Sequence, residues 1–290
     1  MAAAQDKTRR VLTRSEHSRD SAGLLYVYPV VSRRAGGVSI GINLNPNNAC
    51  NWRCVYCQVP DLRRGRAPRV DLARLESELR DFLEQVLRGP FMQERVPAGA
   101  RRLNDIAISG NGEPTTSRQF PEVIDLVGRL RGEAGVPPRV KLVLITNGSM
   151  AGRSEVQAGI ARMAQLNGEV WFKVDSATRE GMLRVNGVRG NPEMVLVNLR
   201  AVVGLCPTWI QTCVFSLDGA PPDAVERAAY LEFVERCARE RLPLQGVLLY
   251  GLARPSMQPE AARLAPLPVG WLEDFAREIK ARGVTVRVTP

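Results

Sequence analysis

Hydrophobic positions along the chain switch repeatedly between two spacings. In residues 38–44 apolar side chains alternate with polar or small ones, which is the period of a β-strand with two different faces. In residues 71–88 they recur at three- and four-residue steps, which is the period of an amphipathic helix. The same exchange of spacings continues to about residue 250. The pattern therefore predicts strands and helices that follow one another in turn.

Five further strands are predicted after the first, at 105–109, 141–146, 169–174, 209–215 and 243–250. The remaining helices are predicted at 120–131, 153–166, 178–186, 192–204 and 221–241. A β-rich stretch at 24–31 precedes this series, and a helix at 270–282 and a strand at 284–288 follow it. Six strands that alternate with helices form a parallel sheet with right-handed crossovers. We therefore expect an α/β fold, a partial (β/α)6 barrel of the TIM type.

The chain divides into three predicted segments. Residues 1–22 are polar and basic, and we interpret them as a flexible tail. Residues 23–252 form the barrel core, and residues 253–290 form a C-terminal extension with a proline-rich loop, a helix and a final strand. No apolar run is long enough to span a bilayer, and no signal-peptide pattern is present. We expect a cytoplasmic protein without a membrane partner, and its oligomeric state stays open.

The chain is strongly basic. Its net charge is +10, with 40 basic residues against 30 acidic ones, and only four of the basic residues are lysines. A basic balance is typical of proteins that bind phosphate-rich partners such as tRNA. It is equally typical of a GC-rich genome, which favours arginine codons. Charge alone leaves both explanations open.

Three cysteines lie close together in a chain that has six. Cys50, Cys54 and Cys57 have the spacing C-x3-C-x2-C, which suits three corners of an iron–sulfur cube and leaves one iron open to a small molecule. A structural zinc site would need four ligands, and the one histidine, His17, lies in the polar tail. A disulfide would need an oxidising compartment. The spacing therefore favours a cluster that performs chemistry at its open iron.

Glycine and polar residues collect where the predicted strands end. The segment Ser109-Gly110-Asn111-Gly112-Glu113 follows the second strand, Thr146-Asn147-Gly148 the third, and Asp175-Ser176 the fourth. In a (β/α) barrel, the carboxyl ends of the strands carry the active site. We therefore expect these segments to surround the cysteine motif.

In order and position these motifs resemble the radical SAM superfamily. The resemblance covers about residues 25–252. The segments Tyr-Pro-Val-Val-Ser-Arg-Arg, Cys-Val-Tyr-Cys-Gln and Tyr-Gly-Leu-Ala-Arg-Pro-Ser resemble one branch, which is grouped with the wyosine-base synthases that modify tRNA. Archaeal wyosine synthases carry further cysteines before the first motif. No cysteine precedes Cys50 here, which argues against their pyruvate-condensing reaction.

The resemblance implies a cofactor set and a reaction. Cys50, Cys54 and Cys57 would hold a [4Fe–4S] cluster whose open iron binds S-adenosylmethionine (SAM). An electron, delivered by a flavodoxin or ferredoxin, would cleave SAM to a 5′-deoxyadenosyl radical, which takes hydrogen from a substrate such as a tRNA base. Two alternatives stay open: modification of a small metabolite or peptide, and a non-catalytic protein that binds the cluster and SAM.

The resemblance also implies roles for residues around SAM. Tyr56 would lie near the adenine, with core packing as the alternative. The Gly110–Glu113 turn would meet the methionyl ammonium, although Asn111 replaces a family glycine. Asn147 would bind the ribose or carboxylate, with a plain turn role as the alternative. At the end of the fourth strand, alternation puts Lys173 and Asp175 on the same face. With Ser176 they are expected to bind ribose or carboxylate, with a surface salt bridge between Lys173 and Asp175 as the alternative.

Two later strands add candidates. Gln211, Thr212 and Cys213 lie on the fifth strand and are expected to line the cavity. Cys213 is a candidate hydrogen donor, although a buried structural cysteine is the simpler interpretation. Arg254 follows the sixth strand and is a candidate anchor for an anionic substrate group.

Overall fold

An eight-stranded sheet forms the centre of the structure, a computed structural model that describes residues 11–13, 22–32 and 36–290. Its strands, in spatial order, are β1, β2, β5, β6, β7, β8, β10 and β12. In the same order these strands cover Val27–Val31, Val38–Ile42, Leu103–Ile108, Lys141–Thr146, Gly168–Lys173, Thr208–Val214, Leu244–Gly251 and Val286–Thr289. The two-residue strands are β3 (Ala49–Cys50), β4 (Arg63–Arg64), β9 (Ser216–Leu217) and β11 (Leu264–Ala265).

Eight α-helices occur in the described residues. In chain order, α1 to α8 cover Leu72–Leu87, Phe91–Arg95, Phe120–Glu133, Ser154–Gln165, Arg179–Asn186, Pro192–Val203, Ala224–Arg239 and Val269–Lys280. The predicted helices and strands are all present, and their bounds differ from the predictions by at most three residues. The short helix α2 was not predicted, because five residues are too few to show a helical period.

The sheet is parallel except at one edge. The six predicted barrel strands pair in sequence order, and β12 adds a seventh parallel strand beside β10. The first strand, β1, pairs antiparallel with β2. Across the described ranges no pairing joins β1 to β12, so the barrel is open on one side. The predicted partial barrel is confirmed.

Apolar helix faces cover the outside of the sheet. Helix α1 shows the principle: Asp71 caps its first turn by accepting the N–H of Arg74, and its Leu75, Leu79 and Leu83 are fully buried. The concave face of the sheet carries smaller and polar residues, including Ser39, Gly41 and Asp105 in β2 and β5. The hydrophobic core therefore lies between the helices and the outer face of the sheet, and the concave inner face surrounds a cavity.

The predicted N-terminal tail lies largely outside the described residues. Within 11–13, Leu12 is buried in the main core, and its N–H donates to the carbonyl of Arg95 at 2.8 Å. Among the helices that the structure describes, none is long and apolar enough to cross a membrane.

A buried glutamate fixes the edge strand β1. Glu78, on α1, accepts N–H bonds from Leu25, Tyr26 and Val27 at 3.1, 2.8 and 3.3 Å, and also bonds Arg74. These three amides belong to the entry of β1, and those of the buried residues Tyr26 and Val27 would otherwise lack partners. Glu78 thereby positions the strand that carries Tyr28 into the cavity.

We expect Glu78→Leu to lower the free energy of unfolding by about 2–4 kcal/mol, since it leaves several buried amides unsatisfied. Glu84→Leu, on the same helix but half-exposed, is the control and should change stability by less than about 0.5 kcal/mol. Urea unfolding followed by circular dichroism measures both. Equal effects of the two substitutions would contradict the anchoring role.

Candidate functional site

The cysteine segment follows β2 at the carboxyl edge of the sheet. Its three thiols line one cavity of about 300 Å³, which the Gly110–Glu113 turn, Asn147 and Lys173 also line. The parallel pair β3–β4 sets Cys50 opposite Arg64, which gives the segment its one piece of regular structure. The strand ends thus bring together the motifs that are far apart in sequence.

The end of helix α5 holds the middle of the cysteine segment. The N–H of Arg53 donates to the carbonyl of Asn186 at 3.0 Å, and the N–H of Val55 donates to Val185 at 2.9 Å. These bonds flank Cys54 on both sides. Gly187 ends the helix with φ +64°, and a Cβ there would lie 2.6 Å from the Arg53 oxygen. Glycine is therefore required for this close approach.

A second set of bonds comes from the loop after β10. Ser256 Oγ donates to the carbonyl of Val55 at 2.7 Å, and the N–H of Met257 donates to Cys57 at 2.9 Å. Gln258 Nε2 donates to the carbonyl of Val59 at 2.8 Å. We call residues 256–260 the clamp. It lies in the predicted C-terminal extension, which therefore contributes directly to the site.

The three thiols share the wall of one cavity. In the described part of the chain, no group of three or more Cys, His, Asp or Glu side chains is arranged to hold a single metal ion. A zinc ion needs all its sulfur ligands about 2.3 Å from one centre. A cubic cluster instead takes each thiolate at a different iron. The shared cavity wall places three cysteine thiols where such a cluster would need them.

Glycine lets the turn after β5 lie against the cysteine segment. A Cβ on Gly112 would lie 2.1 Å from the carbonyl oxygen of Ala49, and one on Gly110 would lie 2.3 Å from Asn43 Oδ1. Asn111, between them, donates its backbone N–H to Asn43 Oδ1 at 2.9 Å. Its side chain also donates to Asn48 at 2.6 Å, so a residue larger than glycine fits at this position.

Glu113 ties two strand ends together. Its carboxylate accepts bonds from Thr115 (N–H, 3.1 Å; Oγ1, 2.5 Å), from Thr146 Oγ1 at 2.6 Å and from the N–H of Asn147 at 2.6 Å. Burial raises the pKa of this carboxyl, and the hydrogen bonds from Thr115, Thr146 and Asn147 oppose that rise. Glu113 also lines the cavity. Most of its hydrogen-bonding capacity is used within the protein.

A charged cluster lies beside Cys54. Tyr56 donates its hydroxyl hydrogen to Asp175 Oδ2 at 2.5 Å, Lys173 Nζ donates to the same hydroxyl, and Lys173 lies 3.5 Å from Asp175. Burial is the largest single influence and disfavours the charged ammonium, but the combined attraction of Asp175, Tyr250, Cys54 and Cys213 outweighs it and raises the pKa of Lys173 above its usual range. Lys173 therefore stays charged in the wall of the cavity.

These features find a counterpart in known proteins. A family profile described as the radical SAM superfamily matches residues 44–229. The chain belongs to the radical SAM superfamily.

The sequence identity to three individual relatives is 23–28%. A UPF0026 protein of Methanocaldococcus jannaschii is 28% identical over 169 residues, which is 58% of this chain and 45% of that protein. The chain spans 17%, 45% and 52% of three curated relatives that it matches.

Two solved structures share the radical SAM fold. The structure of TYW1 with a lysine–pyruvate adduct bound has a TM-score of 0.56 and 14% identity, and the match covers 97% of this chain and 82% of that one. A radical SAM methyltransferase from Sphaerobacter thermophilus has a TM-score of 0.58 and 16% identity, and the match covers 87% and 66% of the two chains.

Within the radical SAM framework, the predicted cofactor residues divide into two groups. Those that line the cavity are Cys50, Cys54, Cys57, Tyr56, Gly110, Asn111, Gly112, Glu113, Asn147 and Lys173. Asp175 lies behind Tyr56 and is buried. Ser176 points away from the cavity, because its Oγ donates to Glu226 Oε2 on α7 at 2.7 Å. The individual roles of these residues toward SAM stay predictions.

The candidates on β8 do not all face the cavity. Cys213 lines the cavity, whereas Thr212 faces the helices, where its hydroxyl lies 2.6 Å from that of Tyr230. Gln211 is buried, and its Nε2 has no hydrogen-bond partner among the described residues. Arg254 lines the cavity.

Sequence reasoning did not select several residues at the site. Asn186 contacts Cys54, and the clamp holds Cys57. Tyr28, Trp171 and Tyr250 line the cavity. These aromatic residues lie on the concave face of their strands, and the two-residue period of each strand is the signal that marks them.

The packing of Gly112 gives a prediction. We expect Gly112→Ala to reduce the iron bound after anaerobic reconstitution by more than half, because the new methyl group pushes Ala49, next to Cys50, out of place. Gly132→Ala is the matched control: no atom lies within 4 Å of its added Cβ, so iron content should be unchanged. Iron retention by Gly112→Ala at the wild-type level would refute the close-approach argument.

The buried thiols give a second prediction. Burial raises the pKa of Cys50 from 9.0 to about 11 and that of Cys54 to about 12. The folded, cluster-free chain therefore keeps protons that the unfolded chain releases above pH 9, so stability present below pH 9 is lost as the pH rises toward 11. Each thiol contributes on the order of 1 kcal/mol per pH unit.

Urea titrations of cluster-free protein between pH 8 and 11 measure this loss. A variant with both Cys50→Ala and Cys54→Ala should lose less stability over the same range. An identical loss in the variant would assign the pH dependence to other groups.

Proposed function

We propose that this radical SAM protein is an enzyme that modifies RNA, with a tRNA base as the target. The observation that carries the proposal is the position of its unpaired arginines. We define the arginine rim as six exposed residues on β4 and on loops at the carboxyl edge of the sheet, where the cavity lies. These residues are Arg63, Arg66, Arg69, Arg118, Arg153 and Arg189.

The arginine rim differs from the arginines on the helices. Within the described residues, no carboxylate lies at ion-pair distance from any rim member. Helix arginines such as Arg80, Arg129 and Arg200 instead contact glutamates at 2.6–3.1 Å. Unpaired arginines such as Arg139 also occur at the opposite edge, but six of them gather at the edge that carries the cavity. A polyanion such as RNA supplies the missing charge.

The cavity wall supports a planar substrate. It includes Tyr28, Trp52, Tyr56, Trp171 and Tyr250, which are five of the nine tryptophan and tyrosine residues in the chain. Bases that leave a nucleic-acid stack are bound by stacking on aromatic side chains. An aliphatic metabolite would not require this concentration of rings. The rim and the wall together favour a nucleobase carried on a phosphate backbone.

The residues present fit the family's cofactors. Cys50, Cys54 and Cys57 would hold a [4Fe–4S] cluster, and the turn at 110–113 lies against the same segment, where SAM would bind. When bound and reduced by a flavodoxin or ferredoxin, the cluster supplies the electron that cleaves SAM reductively. The charged Lys173 offers a partner for a carboxylate or phosphate. The partly enclosed cavity shields the reacting groups from water.

Binding of a tRNA transcript tests the role of the rim. A triple variant with Arg66, Arg118 and Arg153 changed to glutamine should bind at least tenfold more weakly at 0.1 M salt. If all three residues contact phosphates, the slope of log affinity against log salt should fall in magnitude by about 2 to 3.

The control is a second triple variant in which Arg139, Arg239 and Arg241 become glutamine. These exposed residues lie at the opposite edge of the sheet, and their loss removes the same three charges. Equal losses of affinity in the two variants would indicate a non-specific charge effect and contradict the proposal.

Mass spectrometry of reaction products tests the chemistry. Reconstituted protein, SAM and reductant should release 5′-deoxyadenosine, and the triple Cys50, Cys54 and Cys57 alanine variant should not. Stimulation by tRNA, with a mass change in one nucleoside, would support RNA modification. Stimulation only by small metabolites or peptides would contradict it. Bound SAM without any cleavage, even with tRNA present, would contradict an enzymatic role.

A further inference from the structure

One side-chain amide contacts both a cluster cysteine and a buried carboxylate. Asn186 Nδ2 lies 3.3 Å from Cys54 Sγ and 2.8 Å from Asp175 Oδ2. The amide group has two hydrogens on this nitrogen, so each acceptor receives one. Asn186 is 1% exposed, which leaves water no access to replace either bond.

The fold holds this amide rigidly. Asn186 is the last residue of α5, and its backbone carbonyl accepts the N–H of Arg53, next to Cys54. The Gly187 cap then turns the chain away, with its own N–H bonded to the carbonyl of Leu183. These bonds fix the backbone of Asn186, and burial together with the bond to Asp175 holds its side-chain amide. One N–H of this amide therefore points at Cys54 Sγ in the folded chain.

The carboxylate partner of Asn186 is surrounded by hydrogen-bond donors and one cation. Asp175 accepts bonds from Tyr56, Asn186 and the N–H of Cys213, and Lys173 lies 3.5 Å away. Its side chain has no exposed surface. Three hydrogen-bond donors and one cation thus surround this buried carboxylate. Its charge therefore acts on the cluster site through little intervening water.

We infer that the side chain of Asn186 raises the reduction potential of the cluster and that the negative charge of Asp175 lowers it. Reduction adds negative charge to the cluster and its cysteine sulfurs, and an N–H donor stabilises that charge. Hydrogen bonds to the sulfurs and nearby charge are known to set such potentials. Asn186 thus favours the reduced cluster and Asp175 opposes it. The inference rests on the cluster of the proposed function, but on neither RNA nor SAM.

The signs of two substitutions test this inference. Asn186→Leu keeps the size of the side chain and removes both donors, so it should lower the potential. Asp175→Asn removes a negative charge and should raise it. At the wild-type midpoint, we expect the ratio of reduced to oxidised cluster to change about three- to tenfold in each direction, a tenfold change being about 59 mV for one electron.

The measurement is a potentiometric titration of the full-length, reconstituted protein without SAM, followed by the electron paramagnetic resonance signal of the reduced cluster. Thr212→Val is the control. It removes a buried hydroxyl that bonds Val174 and Tyr230 behind the same strand end, but does not contact a cysteine sulfur. Its potential should equal that of the wild type.

An unchanged potential in cluster-bearing Asn186→Leu would overturn the inference. If that variant does not retain a cluster, Asp175→Asn decides: a raised potential supports the inference, and an unchanged one overturns it. Failure of the wild type to assemble any cluster would instead refute the proposed cofactor, which is a distinguishable result.

Discussion

The segment that carries Cys50, Cys54 and Cys57 has almost no regular structure, so its shape depends on hydrogen bonds from its neighbours. The end of α5 binds it on both sides of Cys54, and the clamp binds it at Val55 and Cys57. Glycine residues of the turn after β5 lie against its first part. A ligand loop fixed by backbone bonds keeps its geometry with few demands on its side chains. Those side chains are then available for the cofactor and for the substrate.

The protein uses charge in two different ways. On the helices, arginines and glutamates pair at the surface, where each pair contributes little to stability. Around Asp175, one buried cation and several donors compensate a carboxylate that would be costly alone. The rim arginines have no carboxylate partner among the described residues, whereas the charges around Asp175 are buried in the wall of the cavity.

Much of the architecture follows from local patterns. Strand and helix periods predicted the parallel sheet, because each segment carries its own apolar face. The antiparallel direction of β1 follows from its six-residue connection to β2, which is too short for a parallel crossover. The contact that could not be predicted is that of Glu78, which holds the strand entry from a helix about fifty residues away. Cys50, Cys54 and Cys57 were predictable because their spacing is short and local.

Contacts that depend on the folded arrangement were harder to predict. Ser176 follows Asp175 in sequence but bonds α7 and not the cavity, because successive residues at the strand end point to opposite sides. Asn186 meets Cys54 across 132 positions, and no local pattern marks it. Glu113 was expected to face a ligand, and its main contacts are with the neighbouring strand end.

The clamp has a consequence for the order of events in a cell. Ser256 and Val55 are separated by 201 positions, and Arg53 pairs with Glu260 across 207. Contacts of such long sequence separation form late, when distant parts of the chain have met. During synthesis, the cysteines leave the ribosome long before the residues that fix them. An iron–sulfur assembly system that acted on the nascent chain would meet an unshaped ligand loop until residues 256–260 had been made and had folded back onto it.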